Sequence, residues 1–155
     1  MLTFLINKYL SNKKMLLNIS YNRKSITEDI NEKIGKPFSL VERLKMSGIG
    51  SGKLKISSAS IQIHNLLILD NNLNVCSIEL RPKGILVSFR SILETYALII
   101  PYYKLKLYKG QSNIYSIFMD NYFIKVEVKE KRTHTFMKKI LQYQQAVKGT
   151  DQSYY

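Results

Sequence analysis

Tryptophan is missing from this chain, and cysteine, histidine and proline are scarce: one Cys, two His and three Pro in 155 residues. Cys76 has no partner within the chain, so a disulfide framework is excluded and a reducing, cytoplasmic setting is expected. It sits in the strand-like run Val75-Cys76-Ser77-Ile78, where a small buried hydrophobe fits better than a nucleophile. His64 and His134 have no second strong ligand at a metal-motif spacing. No apolar run approaches the ~18 residues of a membrane span. At the N-terminus the charges follow the apolar Met1 to Ile6 stretch, the reverse of a signal peptide.

Acidic residues are few, 11 Asp+Glu against 24 Lys+Arg, and most have structural roles. Glu28, Asp29 and Glu32 fall in the opening turns of an expected helix, where they complement its dipole. Asp29 can also pair with Lys33 at i, i+4. Glu42 completes a capping box with Ser39. Glu79 and Glu94 lie in the apolar middle, and a pocket joining either of them to His64 is the one route to chemistry left open. The cluster Gly48-Ile49-Gly50-Ser51-Gly52-Lys53 is not a phosphate loop. Ser47 stands where the first glycine belongs, and Leu54 stands where a magnesium-binding hydroxyl belongs. A protein without intrinsic catalysis, cofactor or metal is expected.

The net charge of +13 is unevenly spread. Residues 1–55 carry +7, residues 56–100 are neutral, and residues 101–155 carry +6. The neutral middle should be the deepest part of the fold. The basic ends attract anionic surfaces, nucleic acid or phospholipid, and also serve simple solubility.

Along the chain, residues 1–46 read as a separate helical arm. Leu2, Leu5, Ile6, Tyr9 and Leu10 keep helical spacing. Ser25-x-x-Glu28 and Ser39-x-x-Glu42 look like two capping boxes, the second opening a short helix with Leu40, Val41 and Leu44 on one side. Ser47 to Gly52 reads as a flexible joint. A β domain is expected over 50–148. Its strands begin at Lys53, pair as a hairpin over 61–80, and continue through Ile85–Arg90, Leu98–Tyr108, Ile114–Met119 and Tyr122–Val128. A terminal helix near Thr133–Val147 buries Phe136, Met137, Ile140, Leu141 and Tyr143, with Thr133 or Thr135 as its cap. Residues 149–155 form a fraying tail.

One constellation stands out. With a period of two, Tyr102, Lys104, Lys106 and Tyr108 share one strand face, opposite Tyr103, Leu105 and Leu107. Rings can stack on bases while ammonium groups neutralise phosphates. The same residues suit a lipid headgroup layer, or simple packing of rings on lysine stems. Lys53 and Lys55, with Lys125 and Lys129, extend the basic face if the first and last strands are neighbours.

At Gly84-Ile85-Leu86-Val87-Ser88-Phe89-Arg90 and Ile99-Ile100-Pro101-Tyr102-Tyr103-Lys104-Leu105, the chain resembles the bacterial pleckstrin-homology-like domains. They share the order of successive strands followed by one capping helix. The resemblance covers about 50–148. It implies an α+β fold: a small antiparallel barrel or sandwich closed by the C-terminal helix. It also implies a non-enzymatic scaffold, often self-associating, that contacts a protein partner or an anionic membrane surface. The alternative is a nucleic-acid-binding protein using the basic, tyrosine-bearing face.

Overall fold

The computed structural model describes residues 1–6, 14–70 and 74–152. Residues 2–6 are helical. The following elements are β1 (Leu16–Asn18), α1 (Lys24–Ile34), α2 (Leu40–Lys45), β2 (Leu54–Ala59), α3 (Ile61–Leu67), β3 (Val75–Arg81), β4 (Gly84–Ser91), β5 (Glu94–Pro101), β6 (Lys106–Lys109), β7 (Ile114–Met119), β8 (Tyr122–Glu127) and α4 (Lys131–Gln152). The fold is α+β. One eight-stranded antiparallel sheet runs β1-β5-β4-β3-β2-β8-β7-β6. It is single and open, with β1 and β6 at its edges, so the expected barrel does not close.

β2 holds the sheet together. It pairs with β3 on one side and β8 on the other, joining the β3-β4-β5 meander, edged by β1, to the β6-β7-β8 meander. A register shift between Ile56 and Ser58 bends it. On the inner face, alternate residues such as Leu54, Ile56, Ile78, Val87, Ile117 and Ile124 are buried together with α4 residues Phe136, Met137 and Ile140. Leu105 and Ile63 join this core. On the outer face, Ile30 and Ile34 of α1 pack against Leu17, Leu86, Ala97 and Ile99.

Several expectations change here. Residues 61–67 form helix α3, so the 61–80 hairpin is not formed; β3 pairs instead with β2 and β4. Ile61, Ile63, Leu66 and Leu67 fit either period over so short a span, and Ile63 and Leu67 are the buried pair at i, i+4. The N-terminal 46 residues contribute β1, which pairs with β5 in the main sheet. The first capping box is absent: α1 has Arg23 at its N-cap and no side-chain cap bond. The Ser39/Glu42 box forms in full. α4 opens at Lys131, ahead of both threonines, and the Glu130 carbonyl accepts from the Thr133 and His134 amides. It continues to Gln152, through the first part of the expected tail.

The glycine-rich joint is tied down. The Leu80 amide donates to the Ile49 carbonyl, the Ser51 amide to the Ile78 carbonyl, and the Ile78 amide to Ser51 Oγ. Gly50 bridges Glu79, so 49–51 runs as an irregular extension beside β3.

Candidate binding face

The helix α1 covers only the β1-β5-β4 end of the outer face. Toward β8, β7 and β6 the outward residues are exposed or half-buried. Antiparallel register places partners on the same side. One row runs from Ser58 through Lys125 and Ser116 to Tyr108. The next runs from Phe123 through Phe118 to Lys106. A third joins Val75, Lys55, Glu127 and Ile114.

These rows build an aromatic strip. The Tyr108 and Phe118 ring centroids are 5.9 Å apart in an edge arrangement, and Phe118 and Phe123 are again 5.9 Å apart, tilted by 41°. The Lys125 ammonium lies 5.9 Å from the Phe123 centroid, within cation–π range. Lys106 borders the strip on the edge strand. Glu127, the carboxylate of this side, sits 4.0 Å from both Lys55 and Lys129, so it is already engaged by cations.

Of the six residues singled out from sequence, Lys106 and Tyr108 hold the expected exposed strand face. Tyr102 does not. β5 ends at Pro101 and residues 102–104 form a turn, which breaks the apparent alternation. Tyr102 is 1% exposed; its hydroxyl donates to the Arg81 carbonyl at 3.2 Å, and burial pushes its pKa up. Lys104, in the same turn, donates to Asp120 Oδ2 at 3.0 Å, and its ammonium lies 6.0 Å from the Tyr103 ring centroid.

Lys55 reaches the face through β2, and β2 and β8 are indeed neighbours, which brings Lys125 and Lys129 alongside. Lys53 lines a cavity of about 590 Å³ at the far end of β3 and β4, shared with Ser77, Ser88 and Arg90. It also borders a smaller cleft of about 310 Å³ with Lys55, Lys129 and Arg132.

Phe118 and Phe123 were not anticipated as site residues. The signal was present: once Ile117 and Ile124 are assigned inward, their neighbours must point out.

The groups suspected of chemistry are occupied elsewhere. Glu79 accepts from Arg81 Nε at 2.9 Å, and Glu94 accepts from Asn18 Nδ2 and the Tyr96 hydroxyl at 2.8 and 3.0 Å. His64 is exposed on α3. His134 Nδ1 lies 3.0 Å from the Tyr115 hydroxyl. Among the described residues no three His, Cys, Asp or Glu side chains cluster as metal ligands, and no helix is long and apolar enough to cross a membrane. Compared with protein-family models, curated proteins and solved structures, the chain matches none.

Proposed function

We propose that the chain is a non-catalytic interaction module of pleckstrin-homology-like type, and that the bare part of its outer sheet face is the binding surface. One observation carries this reading: Tyr108, Phe118 and Phe123 form a continuous ring strip bordered by Lys106 and Lys125 on a side that α1 leaves uncovered. Rings that serve only as packing are normally roofed by another layer. The order of strands followed by one terminal helix supports the family resemblance, as does the Ile99-Ile100-Pro101 step that ends β5. The basic balance gives the surface an anionic partner, and the setting fits a cytoplasmic protein peripheral to the membrane's inner face.

A second reading, docking of a protein partner or a second copy, rests on a different surface. Leu2, Phe4, Leu5 and Ile6 are exposed on the N-terminal helix, and Leu40, Val41 and Leu44 are exposed on α2. The expected apolar patch from Leu2 to Leu10 continues beyond residue 6 outside the described residues. Size-exclusion chromatography with light scattering on the parent and on L40S/L44S tests self-association.

The primary reading is tested by sedimentation with vesicles of phosphatidylcholine and phosphatidylglycerol, at low and at physiological salt. Retention on the vesicles that weakens with salt and is lost in K106E/K125E supports the outer face. Equal losses from K106E/K125E and from a remote double reversal of exposed lysines on and just after α1, K24E/K36E, would assign the effect to bulk charge.

A further inference from the structure

We infer that the outer face accepts single-stranded nucleic acid, with bases stacked along Tyr108, Phe118 and Phe123 and phosphates held by Lys106, Lys125 and Lys55. This rests on the module reading above and names its ligand. Phe118 and Phe123 are half-buried, while Tyr108, at 57% exposure, stands at the edge. A surface built to enter lipid needs protruding apolar side chains. Among the described residues the strongly exposed aliphatic side chains lie elsewhere, on the N-terminal helix, on α2, at Ile61, Ile68 and Leu69 on and just after α3, and at Ile92 and Leu93 between β4 and β5. Exposed and half-buried rings with lysines at their margins offer stacking partners and positive charge to bases joined by a charged backbone.

The row Phe123–Phe118–Lys106 sets two rings beside an ammonium, and the next row, Lys125–Ser116–Tyr108, has an ammonium at one end and a ring at the other, so a strand laid across the sheet meets both kinds of group. The carboxylate of this side, Glu127, is held one row away beside Lys55 and Lys129. Among the described residues the site is a sheet face and not a helix or ribbon that enters a major groove, so a splayed single strand reaches the rings where a stacked duplex does not. Stacking reads no sequence, so tolerance of base identity is expected.

The test is fluorescence anisotropy of the full chain with a labelled 12-mer oligothymidylate and with a duplex of the same length, at 50 and 200 mM salt. The expected result is preference for the single strand, with log K falling by about 0.7 per phosphate contacted for each decade of salt. Y108A and F123A should each weaken binding by about five- to 150-fold, while F123Y retains it. K125E should cost more than K24E, which makes the same charge change on α1. Circular dichroism on each variant identifies those that fail to fold; Y108A, at an exposed edge position, is the variant on which the result turns. Unchanged affinity in Y108A, or equal losses from K125E and K24E, would overturn the inference. Binding of the anionic vesicles through Lys106 and Lys125 with no affinity for the oligonucleotide would overturn it and leave the module reading standing. Binding of neither would remove both.

Discussion

Gln144 of α4 donates through Nε2 to two backbone carbonyls of the turn after β5, Tyr102 at 2.9 Å and Leu105 at 2.7 Å. This buried amide adds to the local bonds of the 102–104 turn, in which the Lys104 and Leu105 amides donate to the Pro101 carbonyl. Backbone acceptors leaving the sheet require partners, and the terminal helix supplies them. Replacing Gln144 with Leu keeps volume and removes both donors. The expected loss is about 1–3 kcal/mol, the cost of leaving buried acceptors unpaired. Urea denaturation of Q144L measures it, and an unchanged midpoint would show that the turn does not depend on the helix.

Gly84 opens β4 under the end of α1. A methyl group on its Cα would stand 2.6 Å from Ile34 Cγ2 and 2.9 Å from Pro101 Cα, and would also collide with the Ile100 carbonyl oxygen. Two of these contacts are backbone and cannot rotate away. G84A should therefore lose at least the ~1–3 kcal/mol typical of an overpacked core. The contacts involve both the β4–β5 pairing and the seat of α1, so the thermal midpoint should fall and amides of α1 should exchange faster. Wild-type protection in α1 would contradict this placement of the helix.

Arg81 fastens the same helix from below. It is buried, and its guanidinium donates to Glu79 at 2.9 Å, to Asn31 Oδ1 at 3.2 Å and to the Gly35 carbonyl at 3.0 Å. A lysine ammonium lacks the planar fork that meets three acceptors at once. R81K is expected to lose about 1.5–3 kcal/mol, the range for hydrogen bonds to a charged group. An R81K variant as stable as the parent would mean that α1 is held by its apolar contacts alone.

How much of this could be read from the chain depended on whether a segment's period was forced. The β3–β4 meander was legible because Ile78 to Phe89 alternates on either side of the turn residues Arg81-Pro82-Lys83-Gly84. The α4 stripe was legible because Phe136, Met137 and Ile140 fit only a helix. β1 was not, since three residues show no period, and its place is set by pairing with Leu98, Ala97 and Tyr96. α3 is not legible locally, because four apolar residues in seven fit both periods. Ser60 tips the balance: its carbonyl accepts from the Ile63 and His64 amides while its hydroxyl joins the Phe123 backbone. The candidate face was half legible. Lys106 and Tyr108 lie in a true strand, but Tyr102 belongs to a turn held by local amides and by the distant Gln144. Long-range pairing also chose Phe118 and Phe123 as the neighbours of Tyr108, and no local pattern encodes it.

Cys76 supplies a prediction about reactivity. It is buried in β3, and desolvation alone pushes its thiol up to about 12. At pH 8 the folded protein therefore holds it as the unreactive thiol, because the thiolate is the nucleophile. Labelling by a disulfide reagent should be slow in native buffer and fast in denaturant, with the native rate following transient opening of β3. The sign of the pH effect follows from the raised value. Burial of the neutral thiol stabilises the fold in full below the ordinary thiol pKa, and that stability is lost as pH climbs from there toward about 12. C76A removes this dependence along with the reactive group, so its stability should decline less than the parent's over that alkaline range. Rapid, stoichiometric labelling of the native protein at pH 8 would show that the thiol is open to solvent and that the inner face of β3 is not sealed.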